Sequence, residues 1–171
     1  RLSVKTFLIV GIESVVGANL AASLCGQTRV VGVSAGSNIN LPGCERTMFE
    51  RGNADEIHHC LQQTRATHVI FCGNAARSFW EPAGKAFENS EAVWWAAATD
   101  QEKRHFTLIS SDAVFTGPWM FHDETSKATC PSTEATEIRQ VETRVREACD
   151  NSLIVRTNAF GWSTAGSKGW L

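Results

Sequence analysis

The sequence predicts an α/β fold: a doubly wound parallel sheet with helices on both faces. Three observations carry that prediction. Five short runs are continuously apolar rather than alternating, the pattern of strands covered on both faces. Helical periodicity fills the gaps, giving the strand–helix–strand order that right-handed crossovers produce. The first run leads directly into a glycine-bounded turn, Gly11-Ile-Glu-Ser-Val-Val-Gly17, where a helix begins. A turn of that kind at the first strand–helix junction is Rossmann-like. Residues 1–160 are assigned to this domain. Residues 161–171 have no periodicity and are assigned to an irregular tail, the start of a missing C-terminal part.

The elements follow in order. Strands are read at Thr6–Val10, Arg29–Val33, His68–Cys72, Phe106–Ser110 and Leu153–Arg156. The first helix places Val16, Leu20 and Leu24 on one face, and the second does the same with Ile57, Leu61 and Thr64. A third is expected from about Ala83 to Thr99 through Phe87, Val93 and Trp94, with Trp94 and Trp95 packing in the core or between helices. The last runs from Thr133 to Cys149 with Ile138, Val141, Val145 and Ala148 inward. Ser34–Gly43 and Gly117–Pro131 read as loops, the second beyond the C-terminal end of a strand, where ligands bind in such sheets. Trp80 and Trp119 fall in loops near that edge, placed to stack on a ring or to meet a partner.

At 171 residues the chain is long enough for one domain with a real core. Hydrophobic residues make up 43% and charged residues 20%, an ordinary globular composition. A net charge of −2 gives no field that draws nucleic acid or an anionic membrane, and neither partner is expected. No apolar run approaches the roughly 20 residues that span a bilayer. The start lacks the combined features of a secretion signal. It opens on Arg1 rather than Met, as a trimmed piece does. Six cysteines (Cys25, Cys44, Cys60, Cys72, Cys130 and Cys149) include no C-x-x-C pair. His58-His59-Cys60 lies on a predicted helix, where consecutive side chains diverge, so no metal site is expected. Reduced, structural cysteines point to the cytoplasm.

The helix N-terminus after Gly11 offers amide donors and a partial positive charge to a pyrophosphate. Gly11 permits the tight turn and Gly17 close helix–sheet packing. Ser14 stands where a second glycine usually lets the phosphate approach, and Glu13 brings negative charge nearby. Strand two ends in Val33-Ser-Ala-Gly36, without the acid that usually holds the adenosine ribose.

Further motifs carry a resemblance. Glu50-Arg-Gly-Asn53-Ala-Asp-Glu-Ile57 is similar to a "D-x-x-D-p-e-a-v" segment, with Glu50 for the first Asp. Val69-Ile-Phe-Cys-Gly-Asn-Ala75 is similar to "V-I-N-x-A-A", and Asn89 falls at the Asn of "A-x-x-v-N". Ser110-Ser-Asp-Ala-Val-Phe-Thr-Gly117 resembles "S-T-D-y-V-F-d-G", and His122-Asp-Glu124 with Pro131 follows "Y-x-E…P". Val155-Arg-Thr157 with Gly161 follows "i-R-t…G". In this order the motifs resemble the N-terminal part of the extended short-chain dehydrogenase/reductase superfamily, within it the dTDP-4-dehydrorhamnose reductase family of sugar-nucleotide enzymes. The resemblance implies NAD or NADP as cofactor and a nucleotide sugar as ligand. It implies a cofactor site of Gly11, Ser14, Val15, Val16, Gly17, Glu50, Arg51, Cys72, Gly73 and Arg139.

The chemistry implied by the resemblance needs Ser/Thr, Tyr and Lys, the last two spaced Y-x-x-x-K. Ser111 fills the first place. Counting from Pro131, the Tyr position is Ala135 and the Lys position Arg139, and the chain has no Tyr at all. Arg139 has no phenol to tune, and Ala135 transfers no proton. The expected reading is a degenerate sugar-nucleotide reductase-like protein, its cofactor site weakened or lost, acting as a binding, regulatory or assembly module with a protein partner or a second copy. The alternative is an active reductase or epimerase using Ser111 and a substitute acid such as His122. A third reading is a purely structural domain without nucleotide. Ser110-Ser-Asp lacks the G-x-S-x-G elbow of a hydrolase.

Overall fold

The computed structural model describes residues 5–36, 39–47, 49, 54–76, 87–116, 122–127 and 129–159. Glu50, Arg51, Trp80, Trp119 and the tail from 161 lie outside these described residues. In chain order the elements are β1 (Thr6–Val10), α1 (Val15–Leu24), β2 (Arg29–Val33), β3 (Glu45–Arg46), α2 (Ala54–Thr64), β4 (His68–Phe71), α3 (Glu91–Gln101), β5 (His105–Ser111), α4 (Thr133–Ala148) and β6 (Ser152–Thr157). Short 3-10 turns follow β4 (Asn74–Ala76) and β5 (Asp112–Val114). All six strands pair parallel in one sheet, in the order β3-β2-β1-β4-β5-β6. Helices cover both faces. This is the doubly wound, Rossmann-like sheet that the apolar runs predict.

The runs are continuous because alternate residues enter different cores. Leu8, Val10, Val31, Val33, Val69 and Phe71 enter one core, with residues of α2, α3 and α4. Ile9, Val30, Ile70 and Ile109 enter the other, beside Ala21 of α1. Each fully buried Val, Leu, Ile or Phe contributes roughly 1.5–3 kcal/mol, so both faces hold the sheet.

Predicted strand ends agree to within a residue, and β3 is the addition. Its two residues, Glu45 and Arg46, carry no apolar signal. Arg29 at the start of β2 holds it through a two-point ion pair with Glu45, at 2.8 and 2.6 Å. A short, charged edge also discourages further strand pairing.

The helical expectations hold in part. Val16, Leu20 and Leu24 share one face of α1 as expected, packed half-buried against the core that holds Ile9, and the fully buried residues are Val15, Gly17, Ala18 and Ala21. Small residues there let the helix lie close to the sheet. The third helix begins at Glu91, and residues 87–90 are not helical. The Asn89 side chain turns back to accept the Ala75 amide, at 2.8 Å, which commits it to the turn after β4. Of the tryptophan pair, Trp95 is buried, whereas Trp94 is 52% exposed. In α4, Glu142 is buried on the inward stripe, where only apolar residues were expected.

Candidate functional site

The strand order reverses at the β1–β4 pair, since the chain moves outward to β2 and β3 on one side and to β5 and β6 on the other. Ligands of open α/β sheets bind beyond the C-terminal strand ends at such a switch point. Gly11 follows β1 there and Cys72 follows β4, whose amide donates to the Val10 carbonyl at 2.8 Å. The fold therefore brings together two segments that are 61 positions apart in sequence.

Gly11 has φ +82°, and a Cβ on it would lie 1.9 Å from the Cys72 carbonyl oxygen. Both its conformation and its neighbour demand glycine. A Cβ on Gly17 would lie 2.4 Å from the Gly11 carbonyl oxygen, so the helix start packs on the turn itself. Ser14, where a second glycine usually stands, is turned into the protein. It is 4% exposed and caps α1: its Oγ accepts the Gly17 amide at 3.0 Å and donates to the Gly11 carbonyl at 2.8 Å. The hydroxyl is folded under the turn and its proton already has an acceptor. Val15 and Val16 follow as the first helical residues, at the positive end of the helix dipole. The Ser14 side chain is turned inward and does not project from the turn.

Glu13 also turns away from the helix end. Its Oε1 accepts the Ala35 amide at 2.8 Å, just past β2. The same strand end is tied to the turn by Gly11 and Ile12 amides, at 2.9 and 3.2 Å from the Val33 carbonyl.

On the β4 side, burial pushes the Cys72 thiol up to about 12, with a Ser14 contact working in the other direction. Cys72 is thus an inert thiol beneath the turn. Gly73 is buried, and a Cβ there would lie 2.7 Å from the Phe71 ring and 3.1 Å from Asn89 Oδ1. Asn89 and the Asn74–Phe87 backbone bond, 3.0 Å, fasten this strand end to the segment before α3.

The positions that would carry chemistry lie around the end of β5. Ser111 is half-buried, and its Oγ accepts the Ala113 amide at 3.1 Å as the cap of the 3-10 turn. Ala135 is 2% exposed, one turn into α4, capped by Ser132 at 3.1 Å. Arg139 reaches back across the same loop. Its guanidinium donates to the Cys130 carbonyl at 2.7 Å, the Val114 carbonyl at 3.4 Å and Thr136 Oγ1 at 3.0 Å. It straps the β5–α4 connection beside an antiparallel bridge between Phe115 and Thr129. His122 stacks flat on Phe115, 4.6 Å between ring centres, and its Nδ1 pairs with Ser126 Oγ at 2.9 Å. No hydrogen bond joins it to Ser111 among the described residues. It borders a groove of about 540 Å³ on the β6 side, with Asp123, Glu124, Arg146 and Arg156.

A buried polar cluster escaped the sequence reading. Glu142, 2% exposed, accepts from Ser110 Oγ at 2.6 Å and from Arg156 Nη2 at 2.6 Å and Nε at 2.9 Å. Arg156 also lies over the Phe115 ring, 4.9 Å from its centre. The signal was present: Ala135, Glu142, Val145 and Cys149 share one helical stripe, and a charge on such a stripe needs a partner. Among the described residues no three His, Cys, Asp or Glu side chains converge as a metal site, and no helix is long and apolar enough to cross a membrane. His59 pairs with Gln63, His58 faces Glu102, and Cys60 is buried. All six cysteines are free thiols.

No family model matches the chain, and no curated protein matches it in sequence. Solved structures do match its fold. One is dTDP-4-dehydrorhamnose reductase from Bacillus anthracis str. Ames in complex with NADP, with TM-score 0.65 and 18% identity, covering 89% of this chain and 52% of that one. Another is the Bordetella bronchiseptica enzyme WbmG in complex with NAD, with TM-score 0.69 and 17% identity over 91% and 54%. A third is the UDP-glucose 4-epimerase of Thermus thermophilus in complex with NAD, at 0.68 and 14% over 88% and 54%. At these identities the likeness is one of fold, and the class it defines is the Rossmann-like α/β sheet. The chain spans about half the length of these enzymes.

Proposed function

We propose that this chain is a dinucleotide-binding relative of the sugar-nucleotide reductases that keeps the phosphate turn and lacks the Tyr–Lys chemistry. It acts as a binding, regulatory or assembly module. The observation that carries the reading is at the two catalytic positions: a buried Ala135 stands for Tyr, and Arg139 is engaged by the Cys130 and Val114 carbonyls. The fold likeness to enzymes crystallised with NAD or NADP supports the cofactor class.

Gly11, Ser14, Val15, Val16 and Gly17 would hold the pyrophosphate, with Cys72 and Gly73 forming the opposite wall. Glu50 and Arg51 are assigned to the same cofactor from the sequence motif alone. A nicotinamide dinucleotide, when bound, supplies hydride transfer. This chain's residues supply binding and orientation without a phenol to donate the proton, and Ser111 is left as the single member of the catalytic set. A nucleotide sugar is the ligand class, and a protein partner or second copy is the proposed assembly. The proposed compartment is the cytoplasm.

Titration of the purified chain with NADH and NADPH, followed by tryptophan quenching and calorimetry, tests the first half. Saturable micromolar binding, about −8 kcal/mol, is expected, and silence at millimolar dinucleotide overturns it. Incubation with a nucleotide 4-keto-sugar and NADPH tests the second half. No turnover is expected, and measurable turnover overturns the non-catalytic reading.

A further inference from the structure

Two cysteines 19 positions apart in sequence, Cys25 and Cys44, are brought side by side by the fold. We propose that they form a thiol-modification site: a reversible disulfide, made by exchange with a small-molecule disulfide, that ties the end of α1 to the edge strand β3. The inference does not depend on the dinucleotide reading above.

The backbone fixes both residues. Cys25 ends α1, and its amide donates to the Ala21 carbonyl at 2.9 Å. Cys44 closes a tight turn, Leu41-Pro42-Gly43-Cys44, through an amide that donates to the Leu41 carbonyl at 3.1 Å. Proline second and glycine third suit such a turn, and Gly43 has φ +78°. A Cβ on Gly43 would lie 3.4 Å from Cys25 Cβ, so the turn is laid against the helix end. Both cysteines are half-buried and pack on the core that holds Ile9. Their side chains meet: Cys25 is a hydrogen-bonding neighbour of the Cys44 thiol, which also donates to the Glu45 carbonyl at 3.3 Å. Among the described residues, no second cysteine acts on the thiols of Cys60, Cys72, Cys130 or Cys149.

Half-burial leaves the pair open to a small reagent. The Cys25 thiolate attacks one sulfur of the small disulfide and expels the first thiolate. Cys44 then gives its proton to solvent, attacks the Cys25 sulfur and expels the second. Two cysteine thiols are oxidised to one disulfide, and the reagent is reduced to two thiols. The Cys44 thiol is pushed up to about 11, first by burial and then by Cys25. Because the thiolate is the nucleophile, Cys44 is suited to close the bond and not to begin the exchange. The ring so closed encloses β2, and it restrains the unfolded chain more than a fold in which the two side chains already meet. In a reducing compartment such a bond is transient and follows the thiol balance.

The test exposes the native wild-type chain to oxidised glutathione, blocks the remaining thiols with iodoacetamide and maps tryptic peptides by mass. Cleavage after Lys5, Arg29 and Arg46 separates the two cysteines, so the bond joins residues 6–29 to residues 30–46. That species is expected to exceed any other cysteine pair by at least about tenfold, and reduced glutathione is expected to reverse it. In denaturing urea the preference is expected to vanish, because the fold and not the sequence creates it. The urea midpoint of the oxidised chain is expected to rise by at least about 0.5 M. Cys44→Ser is expected to stop the reaction at a glutathione adduct on Cys25. Absence of the 6–29 to 30–46 species from the native chain, an equal mixture of pairs, or a midpoint that fails to rise overturns the proposal. The wild-type map needs no variant to fold.

Discussion

At the scale of single residues, the glycine-bounded turn after β1 is organised by the side chain of Ser14. Ser14 bonds forward to Gly17 and back to Gly11, so it serves as the cap of α1 while its side chain lies buried under the turn. Ser14→Ala removes both bonds and is expected to lower stability by about 1–2 kcal/mol, read from urea unfolding. Ser14→Gly costs less at the cap and is expected to change NADH affinity by less than about threefold, since the hydroxyl is buried under the turn. A large gain on Ser14→Gly would mean that the serine does obstruct. The cysteines separate in the same local terms. Burial pushes the Cys60 and Cys72 thiols up to about 12. Hydrogen bonds from Ser132, with Arg139 nearby, bring the Cys130 thiol below its ordinary value. Thiolate is the reactive form. Iodoacetamide at about pH 7.5 is therefore expected to label Cys130 first and Cys60 and Cys72 last, as peptide mapping would resolve.

At the scale of elements, α4 is fastened to the sheet by polar bonds as much as by apolar ones. Glu142 joins the helix to β5 through Ser110 and to β6 through Arg156, and Arg139 ties it to the loop that follows β5. Removing one partner of a buried pair leaves the other charge uncompensated. Glu142→Ala is expected to cost about 3 kcal/mol in urea unfolding, at the low end of the fully buried range because Arg156 remains partly exposed. The double variant Glu142→Leu with Arg156→Met is expected to recover most of that loss. If the single variant costs less than about 1 kcal/mol, the cluster is not a fastening. Ala135 belongs to the same buried stripe that holds α4 in place.

At the scale of the molecule, parallel pairing lines up one end of three strands. Phe7, His68 and His105 are register partners in β1, β4 and β5, and their rings stack at 4.8 and 4.7 Å. His68 is held below its ordinary 6.5, first by burial, then by the charges of His105 and Lys5. The folded state thus prefers the neutral imidazole, while the unfolded chain takes up a proton near 6.5. Stability contributed here is complete above that value and is lost as pH falls below it. The urea midpoint is expected to drop between about pH 7.5 and 5.5, and His68→Phe to remove most of that drop. A carboxylate such as Glu45, lowered from 4.5 by its hydrogen bond to Arg29, contributes to a separate fall at more acidic pH. An unchanged slope in His68→Phe would move the effect to another group.

Much of the architecture was legible in the chain itself. The five apolar runs, the glycine turn and the periodic helices determined a parallel sheet covered on both faces, because strand burial and helix amphipathicity are written as local patterns. The absence of Tyr, likewise, needed no coordinates. Tertiary structure decided what local pattern does not carry. β3 exists because Arg29 reaches Glu45, and the Asn89 side chain bonds to a turn on another segment. Ser14 and Glu13 looked like defects of a phosphate site in sequence. Their side-chain directions, one under the turn and one toward Ala35, were set by hydrogen-bond partners the folded backbone supplies. Composition and spacing specify which elements form. The placement of a polar side chain depends on which donor or acceptor the fold brings within about 3 Å of it, and that is known only once the strands are ordered.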